Sequence, residues 1–159
     1  MSFLTRFMPV ISLGIKLLLR FGVRLTIFGP MMLLTVRGRK TGKPRSVPVD
    51  LHERDGRLFL IATHGVGNWV YNLRAAGEGI LSLGWSRQAF TAVELTPEAA
   101  GSVIKVVFGP LLASGGVRGA ALRQNLGVTA DASLHDYINA ARSHPVFELG
   151  SPDKPSFNS

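Results

Sequence analysis

The chain opens on an apolar run, "FMPVISLGIKLLLRFGVRLTIFGPMMLL", broken at intervals of four by Lys16, Arg20 and Arg24. On a helix those three cations share one face, and Ile15, Leu18, Leu19, Val23 and Ile27 fall on the other. The pattern predicts an amphipathic N-terminal helix over residues 1–29, stopped by Gly29-Pro30. Met31 to Arg37 then reads as a buried strand. Over residues 46–54 the period changes to two: Val47, Val49 and Leu51 alternate with Pro48, Asp50 and His52, as in a half-buried strand. Asp55-Gly56 is a hairpin signal, and "RLFLIAT" returns as the next strand. The loop "HGVGN" leads into a short helix, "WVYNLRAA", ended by Gly77. Two more strands are predicted near residues 80–85 and 88–95. Thr96-Pro97-Glu98 is a helix start. Helical pieces follow over about 97–107, 116–126 and 131–142, closed by His144-Pro145.

About five strands thus cluster together instead of alternating with helices. This argues for an α+β fold with a mainly antiparallel sheet curled into a small barrel, and against a doubly wound sheet. With 159 residues, a single domain over 1–159 is expected. Its parts would be the helix at 1–29, a barrel core at 31–95, helices at 96–147 and a flexible Pro/Ser-rich tail at 148–159.

Apolar residues at 46% and charged residues at 18% describe a folding chain, not a disordered one. The net charge of +8 points to an anionic partner: nucleic acid, anionic lipid or a phosphorylated cofactor. Cysteine is absent, so disulfides and thiolate metal sites are excluded. The four histidines lack ligand spacing, and no metal is expected. Three cations would be costly inside a bilayer span. The n-region and cleavage site of a signal peptide are missing. A cytoplasmic protein is expected, and its first helix either packs on the core or lies on the inner face of the cell membrane.

Five of the nine residues from Arg37 to Arg45 are cationic, on what reads as a tight turn between strands. A phosphate-binding P-loop needs four residues between its glycines. Gly38 and Gly42 have three between them, and Pro44 follows Lys43. "HGVGNWV" has Val70 where a dinucleotide fingerprint needs its third glycine, and no βαβ unit surrounds it. Its N–H groups could still meet an anion at the helix N-terminus. Nucleic acid is disfavoured, since no aromatic residue lies between Met31 and Arg54 to stack bases. No acidic pair or serine elbow offers reactive chemistry. The pattern suits an enzyme whose cofactor does the chemistry, or a pure binder.

"LLTVRGRKTGKPRSVPV", the hairpin, "LFLIATHGVGNWVYNLRA", a strand pair and the closing "HPVFEL" resemble the deazaflavin-dependent nitroreductase and quinone reductase family of split β-barrel proteins. The resemblance covers about Leu33 to Leu95 and returns at Pro145 to Phe147. It implies coenzyme F-420, a polyanionic deazaflavin with a phosphate and a glutamate tail. By that resemblance, Lys40, Thr41, Gly42 and Arg45 form the family's grip, with Lys40 and Arg45 on phosphate and carboxylates. Val47 and Pro48 line the next strand, and Ala62, Thr63 and His64 the strand end after it. Trp69, Asn72 and Arg74 match the family's Trp-x-x-Asn-Leu-Arg helix. It implies hydride transfer from the reduced coenzyme to a small hydrophobic acceptor, quinone-like or nitroaromatic. The proton would come from water, or from Tyr137 if the last helix reaches the ring. A fatty-acid or lipid binder on the same fold and a flavin mononucleotide (FMN) enzyme stay open beside it. Five cations suit several anionic groups better than one carboxylate. An exposed barrel edge and the first helix leave a homodimer open.

Overall fold

The computed structural model of the chain describes residues 3–152, with side chains from Ile11 onward. The elements run α1 (Phe3–Arg20), β1 (Met31–Arg37), β2 (Pro44–Arg54), β3 (Arg57–Ile61), α2 (Asn68–Ala76), β4 (Glu78–Leu83), β5 (Ser86–Glu94), α3 (Pro97–Ala113), α4 (Val117–Leu126), α5 (Leu134–Ala141) and β6 (Val146–Gly150). All strand pairs are antiparallel, and the order β1-β2-β3-β6-β5-β4 closes on itself through β1 and β4. The α+β barrel expected from the clustered strands is therefore present.

Local signals act where they were read. Asp55 (φ 52°) and Gly56 (φ 73°) both take left-handed conformations, as the β2–β3 hairpin turn requires. Thr96 caps α3 by accepting from the Ala99 N–H at 3.3 Å. Gly77 ends α2 in the left-handed region.

Four expectations change. The first helix stops at Arg20, not at Gly29-Pro30. Gly22 takes φ 81°, its N–H donates to the Leu19 carbonyl, and the Val23 N–H donates to that of Leu18. That pair of bonds is the Schellman closure, so Arg24 and Ile27 fall outside the helix. α3 runs past residue 107 and through Pro110 to Ala113, because Phe108 and Leu112 anchor its last turns in the core. α5 begins only at Leu134, where Ser133 and Asp136 form a capping box. Residues 146–150, expected within the last helical segment and the tail, form the sixth strand. Residues 153–159 of the expected tail lie outside the described residues. The barrel closes because β6 fills the gap between β3 and β5, so the exposed edge offered as a dimer surface is not there.

The barrel interior holds Leu34, Val36, Val49, Leu60, Leu81, Phe90 and Phe147. α2 stoppers it with Val70 and Leu73. Outside, Phe59, Ile61 and Val146 pack under α3, α4 and α5. α1 lays Leu19 on Met31 and Leu33.

Tyr137 sits in that outer helical core with no exposure, and its hydroxyl donates to the Thr129 carbonyl at 2.9 Å. Its place there removes it as a proton source for a ligand at the barrel mouth. Tyr137→Phe should lower stability by about 1 kcal/mol, the net worth of one buried hydrogen bond, and leave turnover unchanged. Chemical denaturation beside an activity assay checks both.

Candidate cofactor groove

The basic turn is a closed loop. The Gly38 N–H donates to the Lys43 carbonyl at 2.8 Å, and the Gly42 N–H donates to the Gly38 carbonyl at 2.8 Å. Gly42 needs φ 70° for this, and Thr41 Oγ1 accepts from the Lys43 N–H at 3.3 Å. Gly38 is buried so tightly that a Cβ there would stand 3.1 Å from the Lys43 carbonyl oxygen and 3.3 Å from Arg45 Cγ. The loop is fastened to α2 by Asn72, whose Oδ1 accepts from both the Arg39 backbone N–H (3.2 Å) and its guanidinium (2.9 Å). Arg39 also lies 5.0 Å over the Tyr71 ring.

Beneath this loop is a cavity of about 450 Å³ lined by Arg39, Lys40, Thr41, Arg45, Val47 and Trp69, among others. Three of the five cations therefore converge on one space. Arg37 and Gly42 line a separate cavity on the other side of the loop. Among the described residues the ion pairs are Arg57–Glu148 and Arg74–Glu94, and neither draws on the cations of this cavity. Arg39, Lys40 and Arg45 are exposed and solvated, and an anion entering the cavity would meet three cations without counter-charges. The start of α2 adds to the positive end: its cap, Gly67, has no side chain to satisfy the first N–H groups.

A second, smaller cavity of about 100 Å³ continues along the same strand. Pro48, Val49 and Asp50 line it, with Ala62, Thr63 and His64 from the end of β3 and its loop, and Trp69 is common to both. β2 thus runs under both cavities, charged at Arg45 and mixed by Pro48, where Asp50, Thr63 and His64 add polar groups. Trp69 stands at the junction, its ring 5.9 Å from that of Phe147. Thr63 Oγ1 and His64 Nδ1 are 3.2 Å apart. Burial, helped by the neighbouring His144, holds the His64 pKa below its ordinary value.

A scan against family models matches residues 19–107, more than half of the chain, to "F420H(2)-dependent quinone reductase". The chain belongs to that family. This F-420-dependent oxidoreductase has solved relatives of low identity. One, a protein of unknown function from Agrobacterium tumefaciens, is 13% identical with a TM-score of 0.52 and shares the fold; the alignment covers 76% of this chain and 48% of that one. An F420-H2 dependent reductase (FDR-A) is 23% identical with a TM-score of 0.42, covering 76% and 93%. A domain-swapped dimer is 20% identical with a TM-score of 0.43, covering 90% and 98%. No curated protein matches the chain. Of the ligands left open by the sequence, membership selects the deazaflavin over FMN and fatty acid. The lining suits such a group in charge and character, since a cationic cradle adjoins a slot that mixes Trp69, Pro48 and Ala62 with Asp50, Thr63 and His64.

Of the residues carried over by resemblance, Lys40, Thr41, Arg45, Val47, Trp69 and Asn72 line the first cavity. Pro48, Ala62, Thr63, His64 and Trp69 line the second. Gly42 shapes the loop from outside. Arg74 lines neither cavity, and its guanidinium grips Glu94 through two bonds of 2.7 Å. Sequence reasoning missed Arg39, Ser46 and Asn68 in the first cavity and Asp50 in the second. Arg39 and Asn68 stood beside named residues. Asp50 could have been found as the one acid on the alternating strand's polar face next to Pro48.

Proposed function

We propose that this oxidoreductase seats the tail of coenzyme F-420 on Lys40, Arg45 and Arg39 and its ring system against Trp69, Pro48 and Ala62. A quinone-like or nitroaromatic acceptor enters beside Thr63 and His64. The observation carrying this reading is the convergence of three cations, without counter-charges among the described residues, onto a cavity that adjoins a slot walled by Trp69. The coenzyme supplies the hydride when bound. The chain's part is to hold anionic groups through charge-assisted hydrogen bonds, orient the ring and exclude water. Titration with oxidised coenzyme, followed by its fluorescence, tests the reading. Micromolar-range binding is expected, and an unchanged signal with the wild-type chain sinks it.

A second reading concerns where the enzyme works, and it rests on one patch. Phe21 is 83% exposed and Trp85 102% exposed. The turns that carry them touch: the Gly84 N–H donates to the Leu19 carbonyl, and a Cβ on Gly84 would lie 3.1 Å from Gly22 Cα. Arg20, Arg24 and Arg87 are exposed beside these two aromatics in sequence, and Leu13, Leu17 and Leu18 of α1 are also open. Bare aromatics among cations complement an anionic lipid surface, where rings sit at the headgroup boundary and arginines meet phosphates. Among the described residues no helix is long and apolar enough to cross a membrane. Co-sedimentation at low salt with phosphatidylglycerol vesicles should exceed that with phosphatidylcholine. Phe21→Ser with Trp85→Ser should weaken it at least about tenfold. Equal recovery with both lipids would remove the membrane reading.

A further inference from the structure

The hydride must be accompanied by a proton, and Tyr137, held in the outer helical core, does not reach the groove. Asp50 is placed to fill the role. It lies on β2 at the end of the groove remote from the basic loop, and it lines the small cavity with Thr63, His64 and Trp69. Its Oδ1 is buried and has no hydrogen-bond partner. A buried carboxylate oxygen without a partner is unfavourable, and a protonated carboxyl relieves it.

We propose that Asp50 is the acid of the reaction, giving its carboxyl proton to the acceptor as the hydride arrives. This rests on the reading of the groove as the cofactor site. A quinone takes up one hydride, which carries two electrons, and one proton. The O–H bond of Asp50 breaks as an O–H bond forms on the acceptor. The carboxylate then takes a proton back from water. For the sum to balance, the bound coenzyme would supply the hydride and one proton would pass from it to water, so that two hydrogens reach the acceptor.

The surroundings keep the proton available. Burial raises the Asp50 pKa to about 6, against the pull of the Gly29 and Phe28 amides and of the Arg118 charge. His52, two residues on along the same strand face, is held neutral by burial, with a pKa near 4, and packs edge-on against Phe108 at 4.8 Å. His64 lines the same cavity, and its pKa too is lowered. Arg118 reaches from α4 and donates to the Ile27 carbonyl. Gly29 leaves no room there, since a Cβ would stand 2.7 Å from the His52 ring.

The test compares the full-length wild type with Asp50→Asn and Asp50→Glu. Coenzyme binding by fluorescence should stay within about threefold in both variants, because Asp50 is not part of the cationic grip. Turnover with menadione and reduced coenzyme should fall at least tenfold in Asp50→Asn and recover in part in Asp50→Glu. In the wild type kcat should decline as pH rises through about 6, the value burial gives this carboxyl, and Asp50→Asn should lose that inflection. A second readout needs no coenzyme. The folded chain holds the Asp50 proton up to about pH 6 and the unfolded chain only to its ordinary 3.8. The Asp50 contribution to stability is therefore full below about 3.8 and lost as pH rises through 6. The unfolding constant of wild type relative to Asp50→Asn should rise roughly a hundredfold over that window. Retained coenzyme binding with an unchanged pH profile and unchanged turnover in Asp50→Asn overturns the role of Asp50 alone. Failure of the wild type to bind coenzyme overturns the groove reading, and the role of Asp50 with it.

Discussion

Replacing Lys40 and Arg45 together by alanine should weaken coenzyme binding by roughly 30-fold to 10⁴-fold, the larger of the two binding and stability effects expected here. Hydrogen bonds to charged groups contribute about 1 to 3 kcal/mol each, and the pair should lose about 2 to 6 kcal/mol in total. Both side chains line the same cavity, and neither is engaged in an ion pair of the described residues. Their removal therefore leaves no buried partner orphaned, and the fold should be unaffected. The residual binding should also lose much of its salt dependence, because the screened charges are those removed. Arg74→Ala is the matched control: its guanidinium is engaged by Glu94, and binding should change by less than about threefold. Fluorescence titration at two salt concentrations reads all of this. Equal affinity of the double variant and the wild type would mean that the loop cations do not hold the ligand.

Phe147→Ala should lower stability by about 3 to 5 kcal/mol, the usual cost of emptying a buried phenylalanine site. Phe147 is 1% exposed, points into the barrel from β6 and pairs across to Leu60 and Glu94. For a chain of this size the loss corresponds to roughly 6 to 20 °C in Tm. The same ring backs Trp69, so coenzyme affinity should fall as well in whatever fraction remains folded. Phe147→Leu keeps most of the volume and should cost much less. Thermal unfolding of both variants beside the wild type decides. A Phe147→Ala chain that melts with the wild type would show that β6 does not close the barrel.

The basic loop was legible because it is local. Gly38, Lys40, Gly42 and Arg45 lie within eight positions, and the loop that shapes them is closed by its own backbone bonds. The hairpin at Asp55-Gly56 and the cap at Thr96 were legible for the same reason: φ preference and capping act over two to four residues. The end of α1 was misplaced because Gly29-Pro30 is the louder stop signal, while Gly22 acts earlier through two bonds to Leu18 and Leu19. Asp50 was not singled out because an acid on the polar face of an alternating strand looks like any solvated side chain.

The sequence by itself determined the period-two strand over residues 46–54, the basic turn and the family. Those depend on neighbours in the chain and on spacing that no tertiary contact alters. The tertiary structure alone decided that Val146–Gly150 is a strand, that Tyr137 faces the outer helices, that Arg74 belongs to Glu94, and that Asp50 shares a cavity with His64 and Trp69. Each of those depends on closing the barrel, which brings together residues that lie up to about ninety positions apart. Hydrophobic burial drives that closure, and burial reports on the whole core rather than on any one segment.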